Sequence, residues 1–89
     1  MENFKEANIT VELCGQLATI LADQITIRIA ENGSNIAKVR HEIAIKYPEM
    51  AVYMASPRVK ACLDETIVLD SAAIMPNQIL AFFPPVSGG

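Results

Sequence analysis

The 89-residue sequence contains no tryptophan, one histidine, two cysteines and no long run of apolar residues. Two cysteines are too few for a disulfide framework or a structural zinc site. A membrane-spanning helix needs about 18 or more consecutive apolar residues, and no segment approaches that length. The opening residues, Met1–Glu6, are charged and lack the apolar stretch of a signal peptide. These absences predict a cytoplasmic protein that does not act in a membrane.

Basic residues are also few, with seven Lys and Arg against ten Asp and Glu and a net charge of −3. They are scattered along the chain, whereas phosphate binding needs clustered cations, so nucleic acid is not an expected partner. A chain of this length buries only about 60% of its unfolded surface. Because 52% of its residues are apolar, we expect an exposed apolar patch of the kind that binds partners. The size favours a binding module, carrier or subunit over an enzyme with its own cleft.

Two segments alternate between apolar and polar residues, as half-buried strands do. They are Ile9–Cys14 and Gln24–Ala30, and both are rich in β-branched side chains. The segment between them, 15–23, is expected to close one end of the core. We expect residues 1–8 to be a loose N-terminus.

The period changes to that of a helix at Ile36. Its apolar face is Ile36, Val39, Ile43 and Tyr47. The candidates for its N-cap are Ser34 and Asn35. Pro48 should end it, because proline disfavours helical geometry in the preceding residue. A short second helix is expected over 49–56, with Met50 and Met54 closing the core.

The C-terminal half indicates three strands. A hairpin over Val59–Leu63 and Thr66–Leu69 turns at Asp64-Glu65, and 70–77 form a connection. The last strand, Gln78–Phe83, is apolar on both faces and should therefore be central in its sheet. The order of elements predicts an α+β fold, a mixed sheet with one main helix packed on one face.

The chain ends in a segment with unusual chemistry. Residues 1–83 form the predicted domain, and 84–89 form an extended tail in which Pro84-Pro85 ends the last strand. Gly88 and Gly89 have no side chains and could enter a narrow slot. As the sequence stands, Gly89 ends in an α-carboxylate, which ATP can activate as an acyl-adenylate for attack by sulfur or an amine. The alternative interpretation is a loose glycine tail or a cloning remnant.

The run Ala81–Gly89 resembles the C-terminal signature of the small, sulfur-carrying subunit of molybdopterin synthase. That family has the β-grasp, or ubiquitin-like, fold. The resemblance implies that an E1-like enzyme uses ATP to adenylate Gly89 and that a sulfur donor then forms a thiocarboxylate. This sulfur would build the dithiolene of molybdopterin from cyclic pyranopterin monophosphate.

The resemblance also implies roles for residues near the tail. Catalytic side chains would lie on the large subunit of a heterotetramer, and this chain would bind no cofactor or metal of its own. Inside the large subunit's active site would lie Pro85, Val86, Ser87 and Gly88. The expected partner-binding residues are Phe82, Phe83 and Pro84. Because Phe82 and Phe83 alternate across the strand, one should face the core and the other the opposite side of the sheet.

Three other functions remain open. The chain could be the sulfur carrier of thiamine thiazole synthesis, whose members also end in Gly-Gly but are generally shorter. It could be a ubiquitin-like modifier that conjugates to lysines. It could also be a protein-interaction domain whose tail has no chemistry.

Other reactive residues have simpler interpretations. Cys14 and Cys62 lie in strand patterns, where free cysteine acts mostly as a small hydrophobic residue. His41 is expected on the polar face of its helix. Asp64 and Glu65 are expected to be solvated at their hairpin tip.

Two loops depart from the family pattern. Before the last strand the family commonly has a Gly-Asp-Glu-type turn, and this chain has Met75–Gln78, in which Asn77 can adopt left-handed geometry, so a turn is still expected without Gly. At the hairpin tip, where the family often has Asn or Gly, the chain has Leu63–Thr66.

Overall fold

The computed structural model describes residues 5–85. It contains seven strands, three α-helices and one 3₁₀ helix within that range. The strands are β1 (Glu6–Leu13), β2 (Gln24–Ala30), β3 (Ser34–Asn35), β4 (Lys60–Leu63), β5 (Thr66–Val68), β6 (Ala73–Ile74) and β7 (Leu80–Phe83). The helices are α1 (Gln16–Ile20), α2 (Ile36–Lys46) and α3 (Ala51–Met54), and the 3₁₀ helix is Pro48–Met50.

Strand β7 lies at the centre of a five-stranded mixed sheet in the order β2-β1-β7-β4-β5. It is parallel to β1 and antiparallel to β4. A second, two-stranded sheet pairs β3 with β6, and β6 lies within 70–77, which was predicted as a plain connection. The predicted α+β class and the central position of the last strand are confirmed. The tail therefore starts from the middle of the sheet.

The core lies between one face of the sheet and helix α2. The first strand buries Ile9, Val11 and Leu13, and the helix buries Ile36, Val39 and Ile43, as the two periodicities predict. Met50 and Met54 close the core as predicted, whereas Tyr47 is only half-buried. Leu17, on α1, is fully buried at the end of the core where segment 15–23 was expected to lie.

Helix α2 begins and ends where its sequence signals predict. Asn35 is the N-cap, because its side-chain oxygen accepts a hydrogen bond from the N–H of Lys38 at 2.9 Å. The helix ends at Lys46, two residues before Pro48. Pro48 then opens the 3₁₀ helix, where its missing N–H costs nothing.

The first strand starts earlier than predicted. Glu6–Asn8 pair with Arg28–Ala30 of β2, so the expectation of a loose segment over 1–8 is wrong for these three residues. Their own side chains are mostly exposed and give no apolar signal, but β2 is long enough to continue the ladder. Residues 1–4 lie outside the described range.

The hairpin tip between β4 and β5 uses two left-handed residues. Asp64 and Glu65 have φ of 49° and 71°, the geometry that matches the twist of a two-residue hairpin turn. Both are exposed as expected. Asp64 also has a structural role, since its carboxylate accepts hydrogen bonds from Gln78 Nε2 at 2.9 Å and from the N–H of Ile79 at 3.2 Å.

The turn before β7 is formed by a side chain. Gln78 Oε1 accepts a hydrogen bond from the N–H of Met75 at 2.8 Å, and the N–H of Gln78 donates to the carbonyl of Met75 at 3.1 Å. The turn forms without Gly, as expected, but Asn77 does not supply left-handed geometry, because it does not have a positive φ. Gln78 supplies the acceptor that closes the turn.

Arg40 of α2 is a charged residue inside the domain, at 8% exposure. Its Nε donates to Asp70 at 2.9 Å, and Nη1 donates to the carbonyl of Met54 at 3.1 Å. Its Nη2 donates to the carbonyl of Val59, and the guanidinium lies 5.0 Å from the ring centroid of Phe82. One side chain thus links α2 to α3, to the start of β4 and to the central strand.

Replacing Arg40 with Met should lower the free energy of unfolding by about 3 kcal/mol or more, because two buried carbonyls lose their donors and Asp70 loses its partner. Urea denaturation measures the change. The matched control is Arg28→Met, whose ion pair with Glu6 is solvent-exposed at 3.5 Å and should contribute less than about 1 kcal/mol. Equal losses from the two substitutions would contradict the role given to Arg40.

Candidate functional site: the root of the tail

The two phenylalanines at the end of β7 point to opposite faces of the sheet. Phe82 is fully buried against the core, and Phe83 is 42% exposed on the other face. The predicted alternation is confirmed. The prediction that Phe82 binds a partner is wrong, because its ring lies in the core against Arg40 and has no surface to offer.

Phe83 belongs to an apolar depression on the face of the sheet opposite α2. We call this the tail-root patch, and its apolar part is Cys62, Ile67, Phe83, Pro84 and Pro85. The depression has a volume of about 590 Å³. Ile67 is 68% exposed and lies with Phe83, Pro84 and Pro85 in one apolar depression, the kind of patch that partners often cover. The exposed apolar surface predicted from composition is therefore found beside the tail.

Two cations border the tail-root patch. Arg58 and Lys60 line it, and no acidic side chain does so among the described residues. An apolar centre with a charged rim is the usual anatomy of a protein interface, and the sign of the charge favours an acidic partner surface. Sequence reasoning missed Arg58, Lys60 and Ile67. The alternation of β4 places Lys60 and Cys62 on one face and was the available signal.

The start of the tail is fixed by the loop after β1. The N–H of Cys14 donates to the carbonyl of Phe82 at 3.0 Å. Gly15, with φ of +55°, lies so close to Pro84 that an added Cβ would be 3.3 Å from Pro84 Cγ. The positive φ therefore favours glycine here, and any side chain would crowd Pro84. This contact sets where the chain leaves the sheet.

Apart from Phe82, the predicted site residues divide into two groups. Phe83, Pro84 and Pro85 lie together at the tail-root patch. Four others lie outside the described residues: Val86, Ser87, Gly88 and Gly89. Their predicted roles in the tail stay predictions.

Cys14 and Cys62 are free and half-buried. They belong to the chain segments on either side of β7, and strands two positions apart are about 10 Å apart, beyond the roughly 7 Å limit between Cα atoms for a disulfide. Burial is the main cause that raises the pKa of the Cys14 thiol, and electrostatic interactions with Glu12 and Cys62 raise it further. At neutral pH that thiol is protonated and a poor nucleophile, in agreement with its interpretation as a small hydrophobic residue.

His41 lies exposed on α2, as expected. Over residues 5–85, no three His, Cys, Asp or Glu side chains are grouped as metal ligands. The same part of the chain contains no helix of the length and apolarity needed to cross a membrane.

A family profile and several solved structures relate the chain to known proteins. The sequence profile of the ThiS family matches residues 11–89. SAMP1 from Haloferax volcanii superposes with a TM-score of 0.81 at 16% identity, covering 93% of this chain and 100% of the other. Small archaeal modifier protein 1 from Methanosarcina acetivorans superposes with a TM-score of 0.76 at 15% identity, and the match covers 96% of this chain and 99% of the other.

A third similar structure comes from Pyrococcus furiosus and is provisionally assigned as molybdopterin converting factor, subunit 1. It superposes with a TM-score of 0.74 at 16% identity. It covers 90% of this chain and 99% of the other. At these identities the structures establish the β-grasp fold. A search of curated proteins finds no match.

Phe82→Ala and Phe83→Ala should separate folding from surface function. Removing the buried ring of Phe82 should lower the free energy of unfolding by about 3–5 kcal/mol. Removing the exposed ring of Phe83 should change it by less than about 1 kcal/mol. Thermal or urea unfolding measures both, and a larger loss for Phe83→Ala than for Phe82→Ala would contradict the assignment of the two faces.

Proposed function

The chain belongs to the ThiS family of ubiquitin-like sulfur carriers, and on that premise we propose that it is the sulfur-carrier subunit of molybdopterin synthase. The observation that supports this most directly is the position of β7. The central strand runs straight into Pro84-Pro85 beside an exposed apolar patch. Such a geometry directs the tail into a partner that binds the patch.

The chemistry proposed for the tail takes place at Gly89. An E1-like enzyme binds ATP, the carboxylate of Gly89 attacks the α-phosphorus, and pyrophosphate leaves. A sulfur donor then attacks the acyl-adenylate and displaces AMP, which gives a thiocarboxylate. The thiocarboxylate sulfur bonds to cyclic pyranopterin monophosphate, water then cleaves the acyl C–S bond and restores the carboxylate of Gly89, and two such transfers complete the dithiolene of molybdopterin.

The proposed partners bind the same end of the domain. The large synthase subunit would contact Phe83 and Pro84 at the tail-root patch and hold Pro85, Val86, Ser87 and Gly88 in its active site. That subunit would supply the catalytic side chains of a cytoplasmic heterotetramer. This chain would contribute no cofactor, because ATP is used by the activating enzyme.

A second candidate function is conjugation to lysine as a ubiquitin-like modifier. It is favoured by the similarity of the fold to the two archaeal modifier proteins. It uses the same adenylate of Gly89, with an amine in place of sulfur as the nucleophile. The sulfur carrier of thiamine thiazole synthesis is the corresponding alternative within sulfur transfer.

Incubation with ATP, an E1-like enzyme and a sulfur donor should replace one oxygen of the chain by sulfur. Intact-mass spectrometry measures the change, and fragmentation should place it on the peptide that ends in Gly89. The control is a chain lacking Gly89, which should fold normally and stay unmodified. An unchanged mass, under conditions that convert a known carrier, would contradict the proposal.

The identity of the partner should follow from affinity. We expect the chain to bind the large subunit of molybdopterin synthase and not thiazole synthase, and Phe83→Ala should weaken that binding by about tenfold, as loss of an interface aromatic does. Calorimetry measures both affinities. The control is Val52→Ala, which removes an apolar side chain 70% exposed on α3 and outside the patch. Binding to thiazole synthase, or isopeptide-linked products in place of a thiocarboxylate, would favour one of the alternatives.

A further inference from the structure

A second depression lies away from the tail, between β2 and α2. Its volume is about 720 Å³, and its apolar lining includes the exposed Ala37 and the buried core residues Ile27, Ile29 and Val39. We call it the edge groove. Over the described residues, β2 is an edge strand of the five-stranded sheet, and its neighbour there is β1. An edge strand leaves half of its backbone groups available for pairing.

Hydrogen bonds at its two ends show which backbone groups of β2 face β1. The carbonyl of Asp23 accepts from the N–H of Leu13 at 2.9 Å, and the N–H of Glu31 donates to the carbonyl of Lys5 at 2.9 Å. The backbone N–H and C=O groups of successive residues point to opposite sides of a strand. Those of the odd-numbered residues of β2 therefore point to β1, and those of the even-numbered residues point to the free edge.

Two observed hydrogen bonds confirm that the backbone groups of the even-numbered residues face the free edge. The carbonyl of Thr26 accepts from Lys46 Nζ at 2.9 Å, and that of Ala30 accepts from the N–H of Gly33 at 2.9 Å. Between them, the N–H and C=O of Arg28 face the edge, and over residues 5–85 neither has a hydrogen-bond partner outside the strand ladder. The free edge thus presents a donor and an acceptor at the middle of a seven-residue strand.

The edge is covered by one removable side chain. Lys46 reaches across from α2 to Thr26 through a single solvent-exposed hydrogen bond. A lysine placed this way is a common protection against unwanted strand pairing. The N–H of an incoming strand could replace it at the Thr26 carbonyl and free its ammonium group for an acidic partner.

The charge of the groove differs from that of the whole chain. Three of the seven basic residues, Arg28, Lys38 and Lys46, line it with two carboxylates, Glu6 and Glu42. Three cations against two anions give +1, with His41 neutral, in a chain whose net charge is −3. The edge groove is therefore locally cationic.

We propose that the edge groove binds an extended peptide segment of a partner protein, which pairs with β2 as an added strand. The segment would place every second apolar side chain beside the exposed Ala37 and Asp or Glu residues beside Lys38 and Lys46. Backbone pairing supplies affinity and the alternate pockets supply specificity. Because β7 lies two strands from β2, the tail stays accessible while the groove is occupied.

A second copy of the chain fits the groove less well than an acidic peptide. Symmetric antiparallel pairing of two β2 edges about their free central residue would place one Arg28 opposite the other. Like charges directly opposite each other destabilise a strand pair. It would also bring together two surfaces of the same positive sign.

The test uses the intact chain and a short fluorescent peptide in which Ile-Val-Ile-Val precedes a run of Glu. Fluorescence anisotropy should show saturable binding, and amide exchange should slow at Thr26 and Arg28. A peptide with Lys in place of Glu, and one with Pro in the apolar stretch, should bind at least about tenfold more weakly. No saturable binding up to about 1 mM, or equal binding of the three peptides, would overturn the proposal.

Matched variants locate the binding. The double variant Lys38→Gln, Lys46→Gln should lose about tenfold in affinity, whereas Lys60→Gln at the tail-root patch should change nothing. Thermal unfolding checks that each variant is folded. Loss of binding in Lys60→Gln alone would move the site to the tail-root patch and overturn the assignment. If sedimentation shows that the free chain forms a dimer, a second copy and not a peptide would occupy the edge groove, and the proposal would be overturned as well.

Discussion

The position of the tail depends on a buried cation beneath the central strand. A guanidinium is costly to remove from water unless its donors are all satisfied. In Arg40 each of the three guanidinium nitrogens donates a hydrogen bond, Nε to Asp70 and the other two to the carbonyls of Met54 and Val59. Its planar fork also lies over the ring of Phe82, which adds a cation–π interaction. Since these partners come from separate segments, the interaction fixes the helical layer against β7 in one arrangement.

That arrangement determines what the neighbouring residues can do. With Phe82 held in the core, the alternation of the strand places Phe83 on the opposite face, and the contact of Pro84 with Gly15 sets where the tail leaves the sheet. The domain therefore acts as a scaffold that presents a terminus beside an apolar patch. It has two separate surfaces, the tail-root patch and the edge groove, so one partner could hold the domain while another receives its tail.

Local patterns were enough to predict most of the fold. Alternation located β2 to the residue, the helical period and Pro48 defined α2, and an apolar last strand was placed correctly at the centre of the sheet. Features set by tertiary contacts were missed. Nothing near Arg40 in sequence indicates its distant carbonyl partners, and nothing in Met75–Gln78 shows that Gln78 closes the turn. The partner role expected for Phe82 failed for the same reason, since a period of two gives two faces without saying which is buried.

The central claim is that the terminal carboxylate is the working group and that the folded domain only presents it. The most direct test is ATP–pyrophosphate exchange by an E1-like enzyme, with the chain bearing either a free carboxylate or a C-terminal amide at Gly89. Both forms have the same fold and the same docking surface. The account predicts exchange with the acid and none with the amide. Equal exchange with both forms would contradict it.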